Sequence, residues 1–202
     1  MKTSFWPVLI LALHPLLSTA QTPALAPAGG PALLEAGPHH RVIQTETIDM
    51  RGYSQVSRYT EWATGLNYFN PSSGQWEESQ PHFEITTDGN AIASKTQYPV
   101  AVAANLNSQV AINVLSPDNK RFQSRVLGLS YFDPISGKSV LIAEVKDSIG
   151  EVVAPDTIIY PDAFTDFLAD YRITITKAGV EADVILRQQP PSPSEYSVLT
   201  TS

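Results

Sequence analysis

From about residue 39 onward, short runs rich in Val, Ile, Thr, Tyr and Phe recur between turn signals. In Arg172-Ile173-Thr174-Ile175-Thr176 the isoleucines face one way and Arg/Thr the other. In Gln109–Val114, residues Val110, Ile112 and Val114 share a face, while Val140-Leu141-Ile142-Ala143 is a continuous apolar run suited to a strand covered on both sides. The turn signals are Arg51-Gly52, Asn70–Gly74, Asp88-Gly89-Asn90, Ser116–Asn119, Pro134–Gly137, Ser148–Gly150, Ala154–Asp156 and Ala178-Gly179. Between them the pattern predicts strands near 41–48, 55–62, 65–69, 75–79, 82–87, 97–104, 109–115, 121–127, 129–133, 139–146, 150–153, 157–160, 170–177 and 182–188. Turns spaced by roughly eight to twelve residues point to an all-β, antiparallel, sandwich-like domain over 39–188. Residues 161–171 fit this pattern least, and the expectation there is a short turn or coil leading into the strand at 170.

One pattern occurs twice without a gap: R-[YF]-x5-G-L-x-Y-F-[ND]-P-x-S-G-[QK], starting at Arg58 and at Arg121. It pairs Gly65 with Gly128, Tyr68 with Tyr131, Phe69 with Phe132, Pro71 with Pro134 and Gly74 with Gly137. Each copy runs an aromatic strand end into Asn/Asp-Pro, a Ser- and Gly-bearing loop and a new extended run, which is hairpin chemistry. After the loops the similarity ends, Trp76-Glu77-Glu78-Ser79 standing against Ser139-Val140-Leu141-Ile142. Duplicated halves and a repeated hairpin device both fit; either way two related hairpins are expected.

The ends of the chain change the picture. Residues 1–20 have the layout of a secretory signal peptide: Lys2, an apolar run from Phe5 to Leu17, then Ser18-Thr19-Ala20 before Gln21. The run is too short, and too broken by Pro7, His14 and Pro15, to span a membrane as a helix. The expected location is therefore secreted or cell-surface, with no transmembrane segment after cleavage. Residues 21–38 (QTPALAPAGGPALLEAGP) read as a Pro/Ala/Gly linker, with little room for a short helix at Ala32–Ala36, and 189–202 as a Pro/Ser-rich tail. There is no cysteine, so stability must come from the core alone. A formal net charge of −7 and the lack of any Lys/Arg cluster disfavour nucleic acid as a partner.

Several stretches resemble the N-terminal region of large exported bacterial surface proteins of the RHS/YD-repeat type: YTEWATGLNY (59–68), SRVLGLSY (124–131), IAEVKDSIGE (142–151), AFTDFLAD (163–170) and VILRQQPP (184–191). The resemblance spans most of 58–197. It implies a β-rich module at the front of a longer extracellular protein that continues past Ser202, and it brings no catalytic residues with it. The partners it implies are other domains of that larger protein, or extracellular polysaccharide or protein.

Candidate chemistry is sparse. Asp162, Asp166 and Asp170, spaced by four, could offer oxygen ligands to Ca²⁺, or form a solvated acidic edge; no D-x-[DN]-x-[DN]-G loop accompanies them. Trp62, Tyr68, Phe69, Trp76 and Phe83 concentrate around the first hairpin. Trp62, Tyr68 and Trp76 would stack on sugars if exposed, and would build the sandwich core if buried. A glycoside hydrolase would need two converging carboxyl groups, from Glu61, Glu77, Glu78, Glu84 and Glu144. His39-His40 and His82 lack an HExxH motif or Cys partners for zinc, and no G-x-S-x-G, Walker or G-x-G-x-x-G motif is present. The expected function is a non-catalytic structural or interaction module, with a carbohydrate-binding module as the alternative and a hydrolase third.

Overall fold

The computed structural model describes residues 27–196, so the stretch 1–20 expected as a signal peptide and residues 21–26 and 197–202 lie outside the described residues. The chain is all-β and antiparallel, with no α-helix among the described residues. Its strands are β1 (Pro27–Ala36), β2 (His40–Ile48), β3 (Ser54–Trp62), β4 (Asn67–Asn70), β5 (Gln75–Glu78), β6 (Glu84–Ile85), β7 (Ala91–Ala93) and β8 (Val100–Val102). They continue with β9 (Ile112–Leu115), β10 (Arg121–Ser124), β11 (Gly128–Phe132), β12 (Ser139–Glu144), β13 (Glu151–Ala154), β14 (Thr157–Tyr160), β15 (Ala169–Thr176) and β16 (Gly179–Leu186). These strands form meanders β1-β2-β3, β6 through β10 and β13 through β16, plus the hairpins β4-β5 and β11-β12.

The core lies between the five-stranded and four-stranded meanders. The first contributes Ala91, Ala93, Val100, Val102 and Ile112; the second contributes Ile158, Tyr160, Ala169, Ile173 and Ile175. Hairpin β11-β12 adds Ile142 and Ala143, and Phe164 and Phe167 close one end. The alternation read in Ile173 and Ile175 is thus the buried face of β15. Tyr160 is fully buried, and its hydroxyl donates to the Ala103 carbonyl, tying the two meanders together.

The two hairpins related in sequence are built alike. In each, the Asn70 or Asp133 side chain accepts from the backbone two residues on (Ser72 N 2.9 Å; Ile135 N 3.0 Å). In each, a left-handed glycine donates back to that residue's carbonyl (Gly74 N to Asn70 O 2.8 Å; Gly137 N to Asp133 O 2.8 Å). The glycine that opens the motif answers a close approach: a Cβ on Gly65 would stand 1.6 Å from Lys177 O, and one on Gly128 2.2 Å from Ala143 O.

The structure departs from the sequence reading in four places. The expected linker 21–38 is strand from Pro27 to Ala36, antiparallel to β2 with three register shifts, and Ala32–Ala36 is strand rather than helix. Proline and glycine are tolerated there because β1 is an edge strand, where half the N–H groups need no ladder partner. The short strand β7, Ala-Ile-Ala, carried no β-branched run to announce it. The expected strand at 82–87 shrinks to β6, because Phe83 turns into the core and its N–H bonds Pro155 O. The tail at 189–196 is docked: the Tyr131 hydroxyl donates to Pro191 O, Pro193–Glu195 form a 3-10 turn capped by Ser192, and Tyr196 packs edge-on against Tyr131. The segment 161–171 is a turn leading into β15, as expected, with Asp162 and Asp166 in the left-handed region (φ 45° and 67°).

Replacing Tyr160 by Phe removes the donor to the part-buried Ala103 O and should destabilise the fold by about 1–2 kcal/mol. A urea titration reads this as a lowered midpoint at unchanged slope. Burial also raises the Tyr160 phenol far above its usual 10.0. Its contribution is therefore complete below pH 10 and is lost as pH rises beyond that, and the Phe variant should lack this alkaline limb.

Candidate functional site

Two surfaces stand out, both organised by the first hairpin. The first is the sheet β1-β2-β3, none of whose described side chains joins the core. Every residue of β3 is exposed, and Leu33, Leu34, Val56, Tyr59 and Trp62 are large apolar groups open to solvent. The sheet is held at its base. Asn67, at the head of β4, is 1 % exposed, and its Nδ2 donates to Gly37 O (2.6 Å) and His40 O (3.1 Å). Ala63 N bonds His39 O (3.0 Å), and Arg41 reaches Leu66 O (3.3 Å) and Glu78 Oε1 (3.2 Å). Lys177, from the β15-β16 turn, meets the same carboxylate at 2.6 Å. At the far end, Asp49 Oδ1 caps the β2-β3 turn by accepting from Arg51 N and Tyr53 N, both at 2.8 Å.

The second surface is a cleft of about 270 Å³ between the β4-β5 hairpin and the loops at 94–99 and 115–119. Tyr68, Phe69 and Trp76 form one wall; Thr96, Gln97, Pro99, Leu115, Pro117 and Asn119 belong to the other. Phe69 and Trp76 are cross-strand partners whose rings meet edge-on at 5.5 Å. The buried Thr96 Oγ1 and Gln97 Oε1 behind the cleft have no hydrogen-bond partner among the described residues. Trp76 also borders an open groove of about 450 Å³ shared with Leu33–Ala36 of β1.

The aromatic residues expected to act together are therefore divided. Tyr68 and Trp76 share the cleft with Phe69, whereas Trp62 lies 72 % exposed on β3 and stacks on His40 at 5.1 Å. Phe83 is core. Sequence reasoning had no means to find the opposite wall, apart from the turn signal Ser116–Asn119, because cleft partners 20–50 residues apart leave no local pattern.

Asp162 and Asp170 are in contact and Asp166 borders a shallow pocket with Asp162, but each carboxylate is engaged. Asp162 pairs with Lys146 (2.8 Å) and Asp170 with Arg187 (2.8 Å), while Asp170 Oδ1 also accepts from Asp162 N (2.7 Å). Asp166 Oδ2 accepts from Thr165 Oγ1 (2.6 Å). No group of three or more His, Cys, Asp or Glu side chains arranged for a metal occurs among the described residues, His39, His40 and His82 included. Asp162 and Asp170 thus each face a cation of their own chain, and Asp166 faces the Thr165 hydroxyl.

The glutamates considered for hydrolysis are scattered. Glu61 is on β3, Glu84 on β6 and Glu144 ends β12, while Glu77 and Glu78 are strand neighbours on opposite faces of β5. Hydrogen bonds from Ser73, Tyr68 and Asn70 hold the Glu77 carboxyl below the usual range. Lys177 and Arg41 do the same for Glu78. Both act as ionised acceptors that fasten loops, the opposite of the raised carboxyl a general acid requires.

No helix among the described residues is long and apolar enough to cross a membrane. Comparison with protein-family models, with curated proteins and with solved structures gives no match.

Because the Glu78 carboxyl is depressed from about 4.5 in the folded chain, its contribution is present above that value and lost as pH falls below it. Glu78→Gln should flatten this part of the acid limb of a stability profile. It should also speed hydrogen exchange at Ala63 and Asn67, whose amides bond His39 O and Pro38 O, ahead of any change in the core.

Proposed function

We propose that this chain is a non-catalytic structural or interaction module of an exported protein, forming the front part of a larger cell-surface protein. The observation that carries this reading is the β1-β2-β3 sheet: three strands held at one end, with apolar side chains set in solvent and no part in the core. A domain already closed by its two larger meanders gains nothing from such a sheet in isolation, because exposed Tyr59, Val56 and Trp62 stabilise only when something covers them. Contact with another protein surface is the use that fits. The signal-peptide pattern at 1–20 and the resemblance to the front regions of RHS/YD-repeat surface proteins agree with it.

The test is the cell fraction and intact mass of the native product, followed with an antibody to residues 58–196. The expected species is exported and begins at Gln21. A product that stays in the cytoplasm with residues 1–20 attached would overturn the reading.

A second reading is supported by the cleft: carbohydrate binding, with Phe69 and Trp76 as the apolar surface and Thr96 and Gln97 as polar groups behind it. Sugars present apolar ring faces edged by hydroxyl groups, which is the pairing such a wall can meet. Affinity electrophoresis on a panel of soluble polysaccharides should then show retardation that Trp76→Ala weakens at least about tenfold, or ~1.4 kcal/mol, while Trp62→Ala does not. Uniform migration of the wild-type chain across the panel would dismiss it.

A further inference from the structure

The two edges of the projecting sheet are not equivalent. The β1 edge carries Pro27, Gly29, Gly30 and Pro31 and has three register shifts, all devices that blunt a strand against pairing. The β3 edge has none of them. Its nine residues, Ser54 to Trp62, pair with β2 without a shift, contain neither Pro nor Lys, and are exposed throughout. Ala63 N donates to His39 O and Asp49 N to Tyr53 O, so the odd-numbered residues of β3 are the ones hydrogen-bonded to β2. The N–H and C=O groups of Ser54, Val56, Arg58, Thr60 and Trp62 therefore point outward along an edge that no other strand covers among the described residues.

We propose that β3 pairs antiparallel with β3 of a second copy of this chain, with Tyr59 meeting Tyr59 on a twofold axis, so that two three-stranded sheets become one continuous sheet. The choice of partner comes from the sequence of the edge itself. A twofold axis perpendicular to the sheet keeps each face on its own side, so only registers that pair residues of like parity are allowed. Centring on Arg58 would set Arg58 against Arg58, a like-charge clash. Centring on Thr60 would set Tyr59 against Glu61 and Arg58 against Trp62. Centring on Tyr59 places Val56 opposite Trp62, an aromatic and β-branched pair, with Arg58 opposite Thr60 and Ser57 opposite Glu61. The outward backbone groups of 56, 58, 60 and 62 then all find partners. Tyr59 falls in a non-hydrogen-bonded pair, where facing side chains come closest. The segment 54–62 carries one Arg and one Glu and is electrically neutral, so the formal net charge of −7 on the whole chain is not concentrated where the copies would meet.

This inference rests on the reading of the projecting sheet as a contact surface, and it adds the identity of what that surface meets. The test is the molar mass of the full chain in solution, by light scattering or sedimentation at tens of micromolar. A dimer is expected. Tyr59→Lys alone and Tyr59→Glu alone should each weaken it at least about tenfold, by placing like charges together on the axis. Mixing the two variants should restore a one-to-one dimer, an outcome only a register centred on residue 59 gives. Thr60→Pro removes an outward N–H without touching the β2 ladder, and should also yield monomer with an unchanged circular-dichroism spectrum. A monomeric wild-type chain, a dimer that survives Thr60→Pro, or a mixture that stays monomeric would each overturn the proposal. A monomer whose edge amides at Val56, Arg58 and Thr60 are nonetheless protected from exchange would overturn it too, giving the edge to another segment of the same chain. None of these outcomes alters the cell fraction of the native product, so the dimer and the exported-module reading fail separately.

Discussion

The carboxamide of Asn67 is the point through which the parts of this chain are joined. It is buried, and its two donors are spent on the carbonyls of Gly37 and His40 at the β1-β2 turn, of which His40 O also accepts from Gly37 N while Gly37 O has Asn67 as its donor. A buried carbonyl left without a donor costs more than an ordinary hydrogen bond contributes, so this small contact decides where the sheet sits. Its neighbours serve the same junction. Gly65 allows the backbone at Lys177 to come close enough for the Lys177 ammonium to reach Glu78, and Glu78 in turn holds Arg41. Only glycine can occupy position 65, both for lack of room and because its φ is +68°.

The same local code serves two ends of the molecule. Both hairpins fold by Asx capping and a left-handed glycine, yet their equivalent positions do different jobs. Where the first has Asn67, the second has the exposed Ser130, and no sheet is fastened there. Tyr68 gives its hydroxyl to Glu77 within the hairpin, whereas Tyr131 gives its hydroxyl to Pro191 and receives the ring of Tyr196. The turn residues specify a shape; the residues one step away specify what the shape holds.

That division also explains what could be read from the sequence. The two hairpins, the alternation in β15 and the turn at Arg51-Gly52 were legible because each is fixed by residues a few positions apart. The strand at Pro27–Ala36 was not, since its composition is that of a linker and its order comes from pairing with β2. The role of Asn67 was hidden for the same reason: its partners lie 30 and 27 residues upstream. The aromatic cluster was half legible. Local sequence showed that Tyr68, Phe69 and Trp76 belong together on a hairpin, but not that Trp62 would be carried off on a separate sheet.

A sheet gripped at one end is a lever. The strands β2 and β3 run nine residues from the Asn67 junction to the turn at Asp49–Tyr53, a length of about 30 Å at the usual rise per residue. A rotation of about 10° at the base would carry the tip, with the exposed Met50 and Tyr53, through roughly 5 Å at that length. Changes of a few tenths of an ångström in the Asn67, Arg41 and Glu78 contacts are thereby magnified into displacements as large as the spacing between strands. The direction in which the sheet points is set by the chemistry of three side chains.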